Sequence, residues 1–163
     1  MIDGHTPGRI GRVAKLAQEL GASLGISAAE HERLAIVARL HYAGAVRRAA
    51  QHEMGFDPLS RFDRDERAVD AVTGAAIVTK IESYEDFAPV LRAVHEWYDG
   101  TGVPDAVAGE AIPYTARIIA VAAAHEALKG FGRESPVERI SAAAGSQFDP
   151  HVVRALREVA SRL

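Results

Sequence analysis

His95-Glu96-Trp97-Tyr98-Asp99-Gly100-Thr101-Gly102-Val103-Pro104 decides how this chain is read, with Gly109-Glu110-Ala111-Ile112-Pro113 and Ala116-Arg117-Ile118-Ile119-Ala120-Val121 behind it. An apolar stripe of Phe87, Leu91 and Val94, with Tyr98 as an optional fourth member, predicts a helix starting at Ser83. That helix is expected to present His95 and Glu96 and run into a tight Gly/Pro loop, after which Pro113 opens a new helix. Glu96 and Asp99 flank the loop and are expected to bond the amide N–H groups of the Gly100-Thr101-Gly102 turn. Arg117 lies one turn into the new helix, where it either pairs with Asp99 or Glu96 to brace the loop or faces a bound anion.

Upstream, Thr6-Pro7 announces a first helix with Ile10, Val13, Leu16, Leu20 and Leu24 on one face, ended by Gly25. Ser27 and Glu30 form a capping box for a second helix, which carries Leu34, Val37 and Leu40 inward, delivers His41 and Tyr42, and stops at Gly44. A short helix over Arg47 to Glu53 and a Gly55-Phe56-Asp57-Pro58 loop follow. Asp63 to Glu66 then cap a helix with Val69, Val72, Ala76 and Ile77 expected inside. Downstream, Ser135-Pro136 and Asp149-Pro150 open two more helices, the last with Val152, Val153, Leu156, Val159 and Leu163 apolar. No run alternates with the period of a strand. The expected fold is all-α, one bundle of about seven helices forming a single domain over residues 1–163.

Composition narrows the functional classes. Of 163 residues, 25% are charged and 48% hydrophobic, ordinary values for a globular domain. A formal net charge of -3 offers no basic surplus for nucleic acid or an anionic membrane, and Arg47-Arg48, the one adjacent basic pair, reads as a solvated helix edge. Cysteine is lacking, which excludes thiolate metal sites and suits a reducing compartment. No stretch reaches the roughly 18 apolar residues of a membrane span, so the expected location is the cytoplasm.

The opening stretch and its followers resemble the signature of the HD-GYP domains, bacterial cyclic di-GMP phosphodiesterases, which reads roughly HHExxDGxGYP, GxxIP and ARIxxVAD. His41-Tyr42-Ala43-Gly44-Ala45 resembles that family's His-Asp-x-Gly-Lys, and Phe148-Asp149-Pro150-His151-Val152-Val153 its closing FDPxVV; the likeness spans about residues 5 to 158. The resemblance implies a helical scaffold around two or three Fe or Mn ions. Several imidazoles and carboxylates would hold a bridging hydroxide that attacks phosphorus.

This chain departs from that ligand set position by position. The family's first-helix His falls on Arg9, with His5 one turn earlier where some members place a Glu. Its His-Asp pair falls on His41 and Tyr42, its Lys on Ala45, the ligand His seven residues past Glu66 on Thr73, its double His on Val94 and His95, and its later Asp on Ala123. The loop Tyr is Val103, which removes a stacking surface for guanine, and the family's RPYR segment is lacking after Leu128. His41 and His95 remain as residual ligand positions, below the three ligands usual for a catalytic metal, so no cofactor is expected.

The reading that follows is a non-catalytic signalling module that works through protein contacts. Its partner would be another signalling domain or a diguanylate cyclase, met through the loop of Glu96, Asp99, Gly100, Gly102, Val103 and Pro104 together with Arg117. A homodimer is a further option, since the small-residue faces Ala120–Ala124 and Ala142–Ala144 permit close packing. Two other functions compete. One is a weak phosphodiesterase using His41, His95, His5 and Glu96; the other is a nucleotide sensor using Arg117, Arg9 and the Gly102 loop. His52-Glu53 and His125-Glu126 read as solvated helix faces.

Overall fold

The structure, a computed structural model, describes residues 5–45, 57–61, 64–130 and 134–162, and of residues 5–7 the backbone alone. The short helix expected over Arg47 to Glu53, and Asp63, Gly55 and Leu163, lie outside the described residues.

Seven α-helices are present among the described residues: α1 (His5–Ser23), α2 (Ala28–Leu40), α3 (Arg64–Val78), α4 (Ala88–Arg92), α5 (Tyr114–Leu128), α6 (Pro136–Ala142) and α7 (Pro150–Ala160). The one extended pairing among them is a single bridge between Ala144 and Phe148, so the fold is all-α. α1 ends where the Ile26 N–H reaches Gly21 O at 3.2 Å and the Gly25 N–H reaches Ala22 O at 3.2 Å, which satisfies carbonyls that a helix end otherwise leaves open. The Ser27 capping box closes reciprocally: Ser27 Oγ accepts the Glu30 N–H at 3.3 Å, and Glu30 Oε2 accepts the Ser27 N–H at 2.9 Å. Asp149 caps α7 by accepting the His151 N–H at 2.8 Å.

α5 is the axis of the bundle. Ala116, Ile118, Ile119, Val121, Ala122, Ala124 and Leu128 are all buried, on most sides of the helix, as expected of a helix wrapped by others. α1 lies on it with Val13, Leu16, Ala17 and Leu20 inward, and α2, α6 and α7 complete the packing. Of the small-residue faces expected to permit close packing of two copies, Ala122 and Ala124 are buried inside the chain, whereas Ala142 and Ala144 are exposed.

Two expectations about helices are corrected. α3 is rotated from its expected register: it buries Asp70, Ala71, Gly74, Ala75 and Val78, while Val69, Val72, Ala76 and Ile77 face outward. The reason is a close backbone approach. The turn at Ala43–Ala45 lies against α3 so tightly that a Cβ on Gly44 would overlap the Asp70 carbonyl oxygen. That contact selects small residues, which weigh little in a hydrophobic pattern. The helix expected from Ser83 begins instead with a tight turn, Glu85–Phe87, and ends at Arg92. His95 and Glu96 thus stand beyond its end, on backbone held by i to i+3 bonds such as Glu96 N–H to Ala93 O at 3.1 Å.

Candidate functional site

The sequence motifs converge into one hydrogen-bonded block. The Tyr98 N–H donates to Gln147 O at 3.1 Å and the Asp99 N–H to Ser146 O at 2.8 Å, tying the signature loop to the segment before α7. The Gly109 N–H donates to Tyr98 O at 2.8 Å, which brings in the Gly109-Ile112-Pro113 segment. Arg117 closes the circuit: Nε donates to Ile112 O at 3.0 Å, Nη1 to Asp149 Oδ2 at 2.5 Å, and the guanidinium lies 4.7 Å over the Tyr114 ring. Arg117 pairs with Asp149, not with Asp99 or Glu96, because α5 starts beside the α7 cap and the loop carboxylates are already engaged.

Asp99 behaves as expected, with Oδ1 accepting the Thr101 N–H at 2.8 Å and the Thr101 hydroxyl at 2.6 Å. The Thr101 hydroxyl holds the Asp99 carboxyl below its ordinary range. Glu96 does not bond the Gly100–Gly102 turn. It is buried, 4% exposed, and its two oxygens accept the Asp105 N–H at 2.7 Å and the Val107 N–H at 3.1 Å, on the far side of Val103 and Pro104. The Val103 N–H returns to His95 O at 3.2 Å. Gly102 is buried against the backbone of Glu96 and Trp97, whose atoms a Cβ would overlap. Gly100 turns with φ 80°. Arg61 stacks 4.5 Å over the buried Trp97, Arg64 donates to Gly102 O at 3.2 Å, and Arg92 makes a two-point bond to Asp105 at 2.6 and 2.7 Å. The small pocket left between Glu96, Tyr98, Arg117, Gln147 and Asp149 has room for about one water molecule.

His41 sits at the C-terminal end of α2 with Nδ1 2.5 Å from Ala38 O. A carbonyl only accepts, so Nδ1 carries the hydrogen and Nε2 is left as a buried acceptor with no partner among the described residues. The Tyr42 ring lies 4.0 Å from the His41 ring. Burial, with a further contribution from the Arg9 cation, pushes the His41 pKa down to about 4. His95 is half-buried on the turn after α4, Ala45 ends the turn that follows α2, and Thr73 and Ala123 are half-buried on α3 and α5. The side chain of His5 lies outside the described residues.

Glu126, expected on a solvated helix face, is buried instead. It is 6% exposed, receiving Arg12 at 2.8 Å and Lys129 at 2.5 Å, while Arg9 reaches its backbone carbonyl at 3.5 Å. Burial raises its carboxyl, but the Lys129 and Arg12 hydrogen bonds outweigh that and hold it below the usual range. The signal was available in sequence: a carboxylate inside an otherwise apolar helix needs a partner, and Lys129 stands three residues on. His125 beside it is half-buried, not solvated.

The family's metals were tested against these residues. The unpartnered Nε2 of His41 is an atom that an ion would satisfy. Around it, however, stand a guanidinium and a phenol ring, and no group of three or more His, Asp or Glu comes together among the described residues. Such a donor set does not fit a centre of two or three ions.

Two outcomes are expected. Arg117→Ala leaves the Asp149 carboxylate buried and unpaired, and should lower unfolding free energy by about 3–5 kcal/mol in urea titrations. Below pH 6.5 an unfolded His41 binds a proton that the folded one refuses until about pH 4. Its contribution is therefore complete above pH 6.5 and lost as pH falls through that window. Chemical denaturation at a series of pH values should show a loss of about 2–3 kcal/mol there, with the slope reduced in His41→Gln.

Comparison with known proteins agrees with this geometry. The family described as HD domain matches residues 1–152. The cyclic di-GMP phosphodiesterase response regulator RpfG of Xanthomonas campestris pv. campestris is 30% identical over 166 aligned positions, covering 94% of this chain and 43% of that protein. A cyclic di-GMP phosphodiesterase of Vibrio cholerae is 38% identical over 72 positions, 40% of this chain and 15% of the relative. A crystal structure of the V. cholerae cyclic GMP-AMP-specific phosphodiesterase V-cGAP3 superposes with a TM-score of 0.79 at 20% identity, covering 99% of this chain and 45% of that one. The chain thus spans less than half the length of the relatives it matches. It belongs to the HD-domain family, as a member of the HD-GYP, cyclic di-GMP phosphodiesterase-like type.

Proposed function

We propose that this chain is an HD-GYP domain that has lost its di-metal hydrolytic site and serves as a non-catalytic module in cyclic di-GMP-type signalling, acting through contacts with another signalling domain or a diguanylate cyclase. The observation that carries this is the setting of His41, whose ring lies 4.0 Å from the Tyr42 ring with no group of three or more His, Asp or Glu beside it among the described residues. The Arg9 cation adds to the effect of burial in suppressing protonation of that imidazole. A metal ion placed there would meet the same repulsion, without the carboxylates that offset it in a hydrolytic centre.

The competing functions draw on residues that are already committed. As a general base Glu96 would need to reach substrate, and it is buried with each of its oxygens accepting a backbone N–H of its own loop. An arginine that grips a nucleotide phosphate needs its charge free, and that of Arg117 is already matched by the buried Asp149 carboxylate, with Nε held by Ile112 O. What remains outward on the signature loop is Asp99, Thr101, Asp105 and Ala106, a polar, mildly acidic surface better suited to a protein than to a dinucleotide.

The test is turnover of cyclic di-GMP by purified protein supplied with Mn²⁺ or Fe²⁺. No linear product above the protein-free rate is expected. Hydrolysis that disappears in His41→Ala overturns the proposal and restores the phosphodiesterase reading.

A further inference from the structure

Charge is unevenly matched where α1 meets the end of α5. Arg9 and Arg12 lie one turn apart on α1, and both reach Glu126, which also receives Lys129, the residue that caps α5. Of these two helices Glu126 supplies the one acidic residue at the junction: α5 has no other, and Glu19, the single acid of α1, stands 3.8 Å from Lys15. His125 adds no charge at neutral pH, since burial and then the Lys129 cation push its pKa down. The carbonyl end of α5 contributes about half a negative charge more. Three cations therefore exceed their counter-charge by more than one unit, on a chain whose net charge is -3.

Donors are unspent as well as charge. Arg12 gives Glu126 Oε2 its Nε alone, at 2.8 Å, and its two Nη groups hold no hydrogen bond among the described residues. A glycine lies beside that edge, where a Cβ on Gly8 would come within 3.1 Å of Nη1. Lys129 donates to Glu126 Oε1 at 2.5 Å through one of the N–H groups of its ammonium, and Arg9 makes only a long bond, 3.5 Å, to the Glu126 carbonyl. The side chains of Arg12 and Lys129 are 54% and 51% exposed, and that of Glu126 is 3% exposed. The carboxylate thus holds two cationic tips together from beneath, while their remaining donors are open to solvent.

A guanidinium fork flanked by two further cations matches the several oxygens and the double charge of a phosphate group better than a single planar carboxylate. We propose that Arg9, Arg12 and Lys129, set around the buried Glu126, form a binding site for a phosphate dianion, either free or at the end of a small molecule. Arg12, Glu126 and Lys129 are not among the metal-ligand positions of the family, and the proposal stands whether or not the domain is catalytic.

The test is an NMR titration of the whole ¹⁵N-labelled chain with inorganic phosphate, at neutral pH and at an ionic strength held constant with chloride. Saturating amide shifts are expected around residues 8–12 and 126–130, with a dissociation constant of about 5 mM or below. Arg9→Gln leaves the Glu126 carboxylate with both of its partners and should weaken binding at least about fivefold, as should Arg12→Gln. Glu126→Gln removes the competing charge beneath the cations and should tighten binding at least about fivefold, with an unchanged circular dichroism spectrum. Acetate should bind at least about tenfold more weakly than phosphate. Inorganic phosphate binding more tightly than glycerol phosphate assigns the site to the free ion, and the reverse order to a phosphomonoester; either upholds it. Shifts that do not saturate, affinity indifferent to Arg9→Gln and Arg12→Gln, weaker binding by Glu126→Gln, or acetate as tight as phosphate each overturns the proposal.

Discussion

Arg117 and Asp149 form an ion pair with side chains 13% and 4% exposed, and the rest of the signature region is assembled around it. A buried pair earns little net stability, because desolvating both charges offsets most of their attraction. Its value here is positional. The guanidinium joins the start of α5 to the Ile112 carbonyl and to the carboxylate that caps α7, so three segments distant in sequence share one fixed node. Once α7 is placed, the segment at Ser146–Gln147 receives the backbone of Tyr98 and Asp99, and Glu96 then organises the Pro104 loop from within.

The opposite holds near His41. There the hydrogen-bonding inventory does not close among the described residues: one imidazole nitrogen is buried without a partner in them. A chain under pressure only to fold would be expected to fill or pair such an atom, at a gain of about 1–3 kcal/mol. Its persistence beside Arg9 is consistent with a pocket inherited from a metal-binding ancestor and altered one side chain at a time. Glu126 supplies the anionic balance at this end of the bundle through Arg12 and Lys129.

Much of the fold was legible in sequence. The Ser27 box, the Asp149-Pro150 start and the stripe of α1 are short-range features whose physics is complete within a few residues, and the structure has them as expected. The family resemblance was legible too, since it rests on glycines and prolines that the loop geometry requires, Gly102 above all. What escaped was set by tertiary approach. The register of α3 depends on Gly44 meeting the Asp70 carbonyl, a contact between residues 26 apart in sequence, and it inverted the apparent inside and outside of Val69, Val72 and Ile77. The end of α4 before His95, the use of Glu96 beyond Pro104, and the choice of Asp149 by Arg117 all depend on which segment arrives alongside. Glu126 shows the same limit, its partner Arg12 lying on another helix.

The central claim is that the scaffold is kept while the metal centre is lost. Metal content per chain addresses it most directly, measured by elemental mass spectrometry on protein produced with added iron and manganese and purified without chelator. The account predicts less than about a tenth of an ion per chain, because an imidazole next to a phenol ring, with no third His, Asp or Glu grouped with it among the described residues, offers too few donors to retain a transition metal through purification. One or more ions per chain would contradict it, and would mean that ligands other than His41 and His95 complete a working centre.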